Sequence, residues 1–189
     1  MAHSDDRGAA RWGAGRGHAG NDVIRGTSGD DVIDAGDGDD LICAGGGDDT
    51  VEGGWGSDVI YGEAGADDLW AVDQAGTTSS HDIGDHDEVH GGGGTDEIVG
   101  NGLGSSELYG GSHADVIEGG KFNDVITGGL GDDDLYGNGG ADEIDGGSGW
   151  YDHLDAGVDD FIDVCVDYTN VLASNFVECD QIVGGPSFP

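Results

Sequence analysis

The chain has 189 residues, 41 Asp plus Glu against 5 Lys plus Arg, and 42 glycines, so its formal charge is −36. Leu, Ile, Val and Phe make up about a fifth of it, which at this charge lies at the compositional border of disorder. Such acidity excludes nucleic acid as a partner, and no apolar run reaches the ~20 residues of a membrane-spanning helix.

In chain order, residues 1–19 hold Arg7, Arg11 and Arg16 but lack the apolar stretch of a secretory signal, and they read as a flexible, slightly basic leader. From 20 to 70, Asp22, Asp31, Asp40, Asp49, Asp58 and Asp67 recur every nine residues, and Ile24, Ile33, Ile42, Val51, Ile60 and Leu69 follow each by two. A pattern of that length marks a repeat architecture. Residues 71–84 break the period and predict an interrupting loop. From 85 to 163 the Asp-x-aliphatic unit returns at Asp87/Val89, Asp96/Ile98, Asp115/Ile117, Asp124/Ile126, Asp133/Leu135, Asp142/Ile144, Asp152/Leu154 and Asp160/Ile162, with Ser106/Leu108 filling the one step that has no acid. The ten- then eight-residue spacing from Ile144 through Leu154 to Ile162 predicts a bulge that keeps the register. Residues 164–189 are the most apolar stretch and predict a strand, loop and strand that cap the last coil, with an export signal as the rival role. Cys165 and Cys179, 14 apart, are placed to close that end by a disulfide, which would favour an oxidising compartment.

Glycine clusters such as Gly53-Gly54-Trp55-Gly56 and Gly128-Gly129 separate the units, so each cycle is a tight turn followed by a very short strand. Alternation along a strand puts the Asp and the aliphatic residue two later on one side, and that side must be the interior. A line of inward carboxylates in a glycine-rich chain repels itself and needs a cation between the coils. Carboxylate and carbonyl oxygens suit calcium, which accepts six to eight flexible oxygen ligands; magnesium demands strict octahedral geometry, and zinc and copper prefer softer donors. The candidate ligands are the aspartates of both runs, from Asp22 to Asp160.

Gly29-Asp30-Asp31-Val32-Ile33-Asp34, Gly56-Ser57-Asp58-Val59-Ile60-Tyr61 and Gly128-Gly129-Leu130-Gly131-Asp132-Asp133-Asp134-Leu135-Tyr136 resemble the RTX (repeats-in-toxin) nonapeptide, glycine-glycine-x-glycine-x-aspartate-x-aliphatic-x. The likeness runs over roughly residues 20 to 163. It implies an all-β fold, a right-handed parallel β-roll with two nonapeptides per coil, in which stacked turns hold calcium between Asp carboxylates and turn carbonyls. It also implies folding coupled to extracellular calcium. Ser106 in place of Asp, and His113 and Phe122 in place of turn glycines, depart from the pattern and predict weak or empty sites beside them.

Three further features stand apart from the repeat. His86, Glu88 and His90 share one outward face and carry the ligand chemistry of a second metal, zinc for example; the plain alternative is a polar strand surface. Val23, Leu41 and Val59, with Cys43 and Tyr61 beside them, line up as an exposed apolar column, which suits a protein partner or self-association; the plain alternative is β-propensity on a solvated strand or cover by the leader. No nucleophile elbow, phosphate loop or HExxH helix is present, and the repetition of the aspartates makes them ligands rather than an acid–base pair. The chain therefore reads as a secreted, non-enzymatic calcium-binding roll with a structural, surface or assembly role; the alternative is an accessory or secretion module of a larger exported enzyme, toxin or adhesin.

Overall fold

The computed structural model describes residues 15–72, 85–100, 102, 104–149, 151–157, 164–167, 175–177 and 181–184. These form strands β1 (Gly15–Arg16), β2 (Val23–Arg25), β3 (Val32–Asp37), β4 (Leu41–Gly46), β5 (Thr50–Trp55), β6 (Val59–Ala64), β7 (Asp68–Trp70), β8 (His86–Gly93) and β9 (Glu97–Val99). They continue with β10 (Ser105–Ser112), β11 (Val116–Glu118), β12 (Val125–Leu130), β13 (Asp134–Tyr136), β14 (Glu143–Ser148), β15 (His153–Asp155), β16 (Val164–Asp167), β17 (Asn175–Val177) and β18 (Gln181–Gly184). Odd-numbered strands make one nine-stranded sheet and even-numbered strands another, each in chain order. Every pairing is parallel, as in Ile24↔Ile42 and Ile33↔Val51, each 18 residues apart. One coil is therefore two repeats, one strand per sheet, and the fold is a parallel β-roll. No helix occurs among the described residues, so none there is long and apolar enough to cross a membrane.

The core follows from period two. Along β3 the burial alternates, with Ile33 and Ala35 inward and Val32 and Asp34 facing out. Stacking such strands lines up Ile24, Ile42, Ile60, Val89, Leu108, Ile126 and Ile144 in one sheet and Ile33, Val51, Leu69, Ile98, Ile117, Leu135 and Leu154 in the other, all almost wholly buried. At full burial each contributes about 2–3 kcal/mol.

The interruption costs no register. Ile60 pairs with Val89 and Leu69 with Ile98, 29 apart, so both sheets keep their register across the interruption; residues 73–84 of the expected loop lie outside the described residues. Gly15 and Arg16, inside the expected leader, pair with Ile33 and Asp34 and begin the odd sheet.

The register after β14 differs from the sequence expectation. Ile144 pairs with Cys165, 21 residues on, and not with Ile162; Cys165 is fully buried in the place expected for Ile162. Two Asp-x-apolar triplets adjoin here, Asp160-Phe161-Ile162 and Asp163-Val164-Cys165. Strand pairing selects the second, which places Val164 and Cys165 beside Glu143 and Ile144. The segment expected to close the roll extends it: β16 and β18 join the even sheet and β17 the odd one, all in parallel. Cys165 is disulfide-bonded and Cys43 is a free thiol, while the expected partner, Cys179, lies outside the described residues.

Candidate metal centre

The turn Gly53-Gly54-Trp55-Gly56-Ser57-Asp58 shows how the sequence builds a site. Gly54 and Gly56 sit at φ of 113° and 126°, a region that side chains with a Cβ rarely adopt. Gly53 is needed for a different reason: a Cβ there would lie 2.6 Å from Asp58 Oδ2, so the missing side chain makes room for the carboxylate. The Asp thus folds inward over its own turn and is fully buried.

One oxygen of each such carboxylate is committed to the backbone. The amide N–H of Asp40 donates to Asp58 Oδ1 at 2.9 Å, that of Asp58 to Asp87 Oδ1 at 2.8 Å, and that of Asp124 to Asp142 Oδ1 at 2.9 Å along the even side. Along the odd side the same bond runs without a gap from Asp31 through Asp49, Asp67, Asp96, Asp115 and Asp133 to Asp152, at 2.8–3.1 Å. Two ladders of aspartates therefore climb the roll, one beside each sheet. At the even-side step between Asp87 and Asp124 the residue is Ser106, 1% exposed, whose N–H donates to Asp124 Oδ1 at 2.7 Å.

The second oxygen identifies the chemistry. Oδ2 of Asp40, Asp49, Asp58, Asp67, Asp96, Asp115 and Asp133 is buried without a hydrogen-bond donor. An unpaired charged oxygen in such a place is strongly destabilising. Burial accordingly pushes these carboxyls up, Asp58 to about 8, Asp115 to about 7, and Asp40, Asp67 and Asp133 to about 6, with the neighbouring aspartates adding repulsion. Among the described residues no three His, Cys, Asp or Glu side chains converge as a metal-binding group. A cation held here would meet carboxylate oxygens and, in the glycine turns, backbone carbonyls, hard donors of the kind that suit calcium.

The predicted ligands divide when placed in the fold. Asp31, Asp40, Asp49, Asp58, Asp67, Asp87, Asp96, Asp115, Asp124, Asp133, Asp142 and Asp152 are buried. Asp22 is only half-buried at the first coil, and Asp160 lies outside the described residues. His113 takes the glycine conformation at φ 87°, so that departure is absorbed by the backbone. Phe122 does not; it stays 44% exposed and its turn differs from the others.

A further, outer set of rungs is not foreseen in the sequence. The residue before the inward Asp, on the outside of the turn, accepts the amide of its counterpart one coil later: Asp30 from Asp48, Asp39 from Ser57, Asp48 from Ala66, Asn123 from Ala141, at 2.9–3.1 Å. The recurrence of Asp or Asn at that position was the available signal.

His86, Glu88 and His90 do share the outward face of β8, but they do not converge. His90 bonds Glu88 at 2.7 Å and lies stacked between Tyr61 and Tyr109, ring centroids 4.8 and 4.6 Å away. His86 turns to Ser105 at 2.9 Å and Glu107 at 3.4 Å. The second-metal reading gives way to an aromatic and polar clasp across β6, β8 and β10. Val23, Leu41 and Val59 form the expected column, with Cys43 and Tyr61 beside it; Val23 is 45% and Leu41 39% exposed.

Comparison with curated proteins finds no match. The family model of the RTX calcium-binding nonapeptide repeat, in four-copy units, matches residues 16–51, 44–69, 84–102, 90–126 and 109–144, more than half of the chain. The nine-residue turns, the inward aspartates with uncommitted oxygens and the parallel β-roll agree with that match, and the chain belongs to the RTX calcium-binding nonapeptide repeat family, whose repeats bind calcium at multiple sites.

Proposed function

We propose that the inward aspartates of the two ladders are the calcium ligands, and that the protein is exported, folds on meeting extracellular calcium and then serves a structural, surface or assembly role without catalysis. One observation carries this reading: the row of buried Oδ2 atoms that no donor in the protein satisfies. Calcium between the turns neutralises these oxygens and cross-links successive coils, so binding free energy becomes folding free energy. A disulfide at Cys165 agrees with an oxidising environment outside the cytosol. The outward column Val23, Leu41 and Val59, of which Val23 and Leu41 are exposed, supports the assembly role. The test is a metal count by native mass spectrometry alongside the β signal. Several calcium ions per chain, acquired together with β structure, are expected, and a folded chain that takes up none would refute the assignment.

A further inference from the structure

The turns are not alike, and their backbone separates them into two kinds. In the turns of Asp40, Asp49, Asp58, Asp67, Asp96, Asp115 and Asp133, whose Oδ2 has no donor, the residue four before the Asp stands at positive φ, between 76° and 119°; before Asp152, where the repeat is one residue longer, the positive φ falls five before, at Gly147. The N–H of the positive-φ residue is thereby directed elsewhere; Gly54 N, for example, donates to the Ala71 carbonyl in the next coil at 3.2 Å. In the turns of Asp22, Asp31 and Asp124 the residue four before the Asp is His18, Thr27 or Gly120, and none of these adopts positive φ. Each instead donates its own N–H to the Asp Oδ2, at 2.7, 2.6 and 2.6 Å. At Asp31 the Thr27 hydroxyl adds a second bond at 2.9 Å.

We infer that the peptide four residues before each aspartate decides whether its turn takes calcium, so that Asp22, Asp31 and Asp124, capped by their own backbone, hold no ion although they match the repeat. The inference rests on the calcium reading of the other aspartates and narrows it. A backbone donor satisfies the carboxylate oxygen as an ion would, so the capped turn gains little from a cation and would lose a charge-assisted bond by taking one. The Asp124 turn explains its own exception: Gly119-Gly120-Lys121-Phe122-Asn123 has Phe122 at the second left-handed position, where Gly56 stands before Asp58, and with Phe122 held out of that region Gly120 falls back to cap the Asp. With Ser106 one coil earlier, the even-side array is interrupted at two successive steps, while the odd-side array continues from Asp49 to Asp133.

The test counts bound calcium by native mass spectrometry on the full chain, with circular dichroism at saturating calcium to confirm the β signal. Asp133→Asn should lose at least one ion, whereas Asp124→Asn should keep the wild-type count. Phe122→Gly, which restores the glycine, should gain one. Equal losses from Asp124→Asn and Asp133→Asn would overturn the inference and leave the calcium reading intact. No loss from either would overturn the calcium reading and the inference with it. A Phe122→Gly chain with an unchanged count would show that turn conformation does not select the ion.

Discussion

Each inward aspartate is a compromise between position and charge. Asp58 is buried with one oxygen bonded to the Asp40 amide and the other bonded to nothing in the protein, so its folded form favours the proton and its pKa rises to about 8. An Asp carboxyl raised in this way contributes stability that is complete below its unfolded value near 3.9 and is lost as pH rises through the folded value. In chelator, β structure should therefore grow as pH falls from about 8, the raised value of Asp58, through those of Asp115 and Asp133 to about 4, the unfolded value. Circular dichroism against pH in chelator checks this, and a β signal that falls on acidification would contradict it. With calcium the sign reverses, since the ligand form is the carboxylate, and acidification should weaken the fold. Substitution should separate the faces: Asp58→Ala should raise the calcium needed for half-folding severalfold, while outward Asp134→Ala, on an exposed position of β13, should change it by less than about twofold.

At the scale of strands, the even-side step that lacks an aspartate coincides with an aromatic stack on the outer face. Ser106, which stands in place of Asp, lies in β10, and the outer face of β10 with its neighbours β8 and β6 carries the Tyr61–His90–Tyr109 stack. Two aromatic pairs at about 0.5–1.5 kcal/mol each make His90→Ala destabilising by about 1–3 kcal/mol, measurable as a lower urea midpoint at fixed calcium. An unchanged midpoint would show the stack to be incidental. This clasp marks the limit of what sequence reveals. The nine-residue period and the two-residue offset from Asp to aliphatic already specify coil length, inward residues and the even and odd sheets, because every turn repeats one steric solution. They do not specify which of two adjoining triplets pairs with Ile144, and the pairing chooses Cys165. Nor do they show that His90 turns away from His86, since a shared strand face fixes direction but not which neighbour a side chain meets. The orientation of the Gly120 peptide is equally hidden, because its glycine reads the same as those that stand at positive φ.

As a whole molecule, the roll is a thin core inside a shell of charge. With a formal charge of −36 and inward residues limited to one aliphatic, one aspartate and one glycine or alanine per repeat, the apolar core is too narrow to oppose the repulsion unaided. On the proposed assignment, cations stacked through the ladders would oppose it where it is greatest. Once the coils form, Val23, Leu41 and Val59 align on one outer face. Changing all three to Thr should abolish calcium-dependent association in sedimentation velocity at micromolar protein, and a chain that stays monomeric in calcium before substitution would remove the assembly role. The central claim is that calcium folds the roll, and the most direct measurement is circular dichroism of the full chain at neutral pH, started in chelator and titrated with calcium and, separately, magnesium. A cooperative rise of β signal in calcium, with much less at equal magnesium, is the predicted result. The full β signal already present in chelator would contradict it.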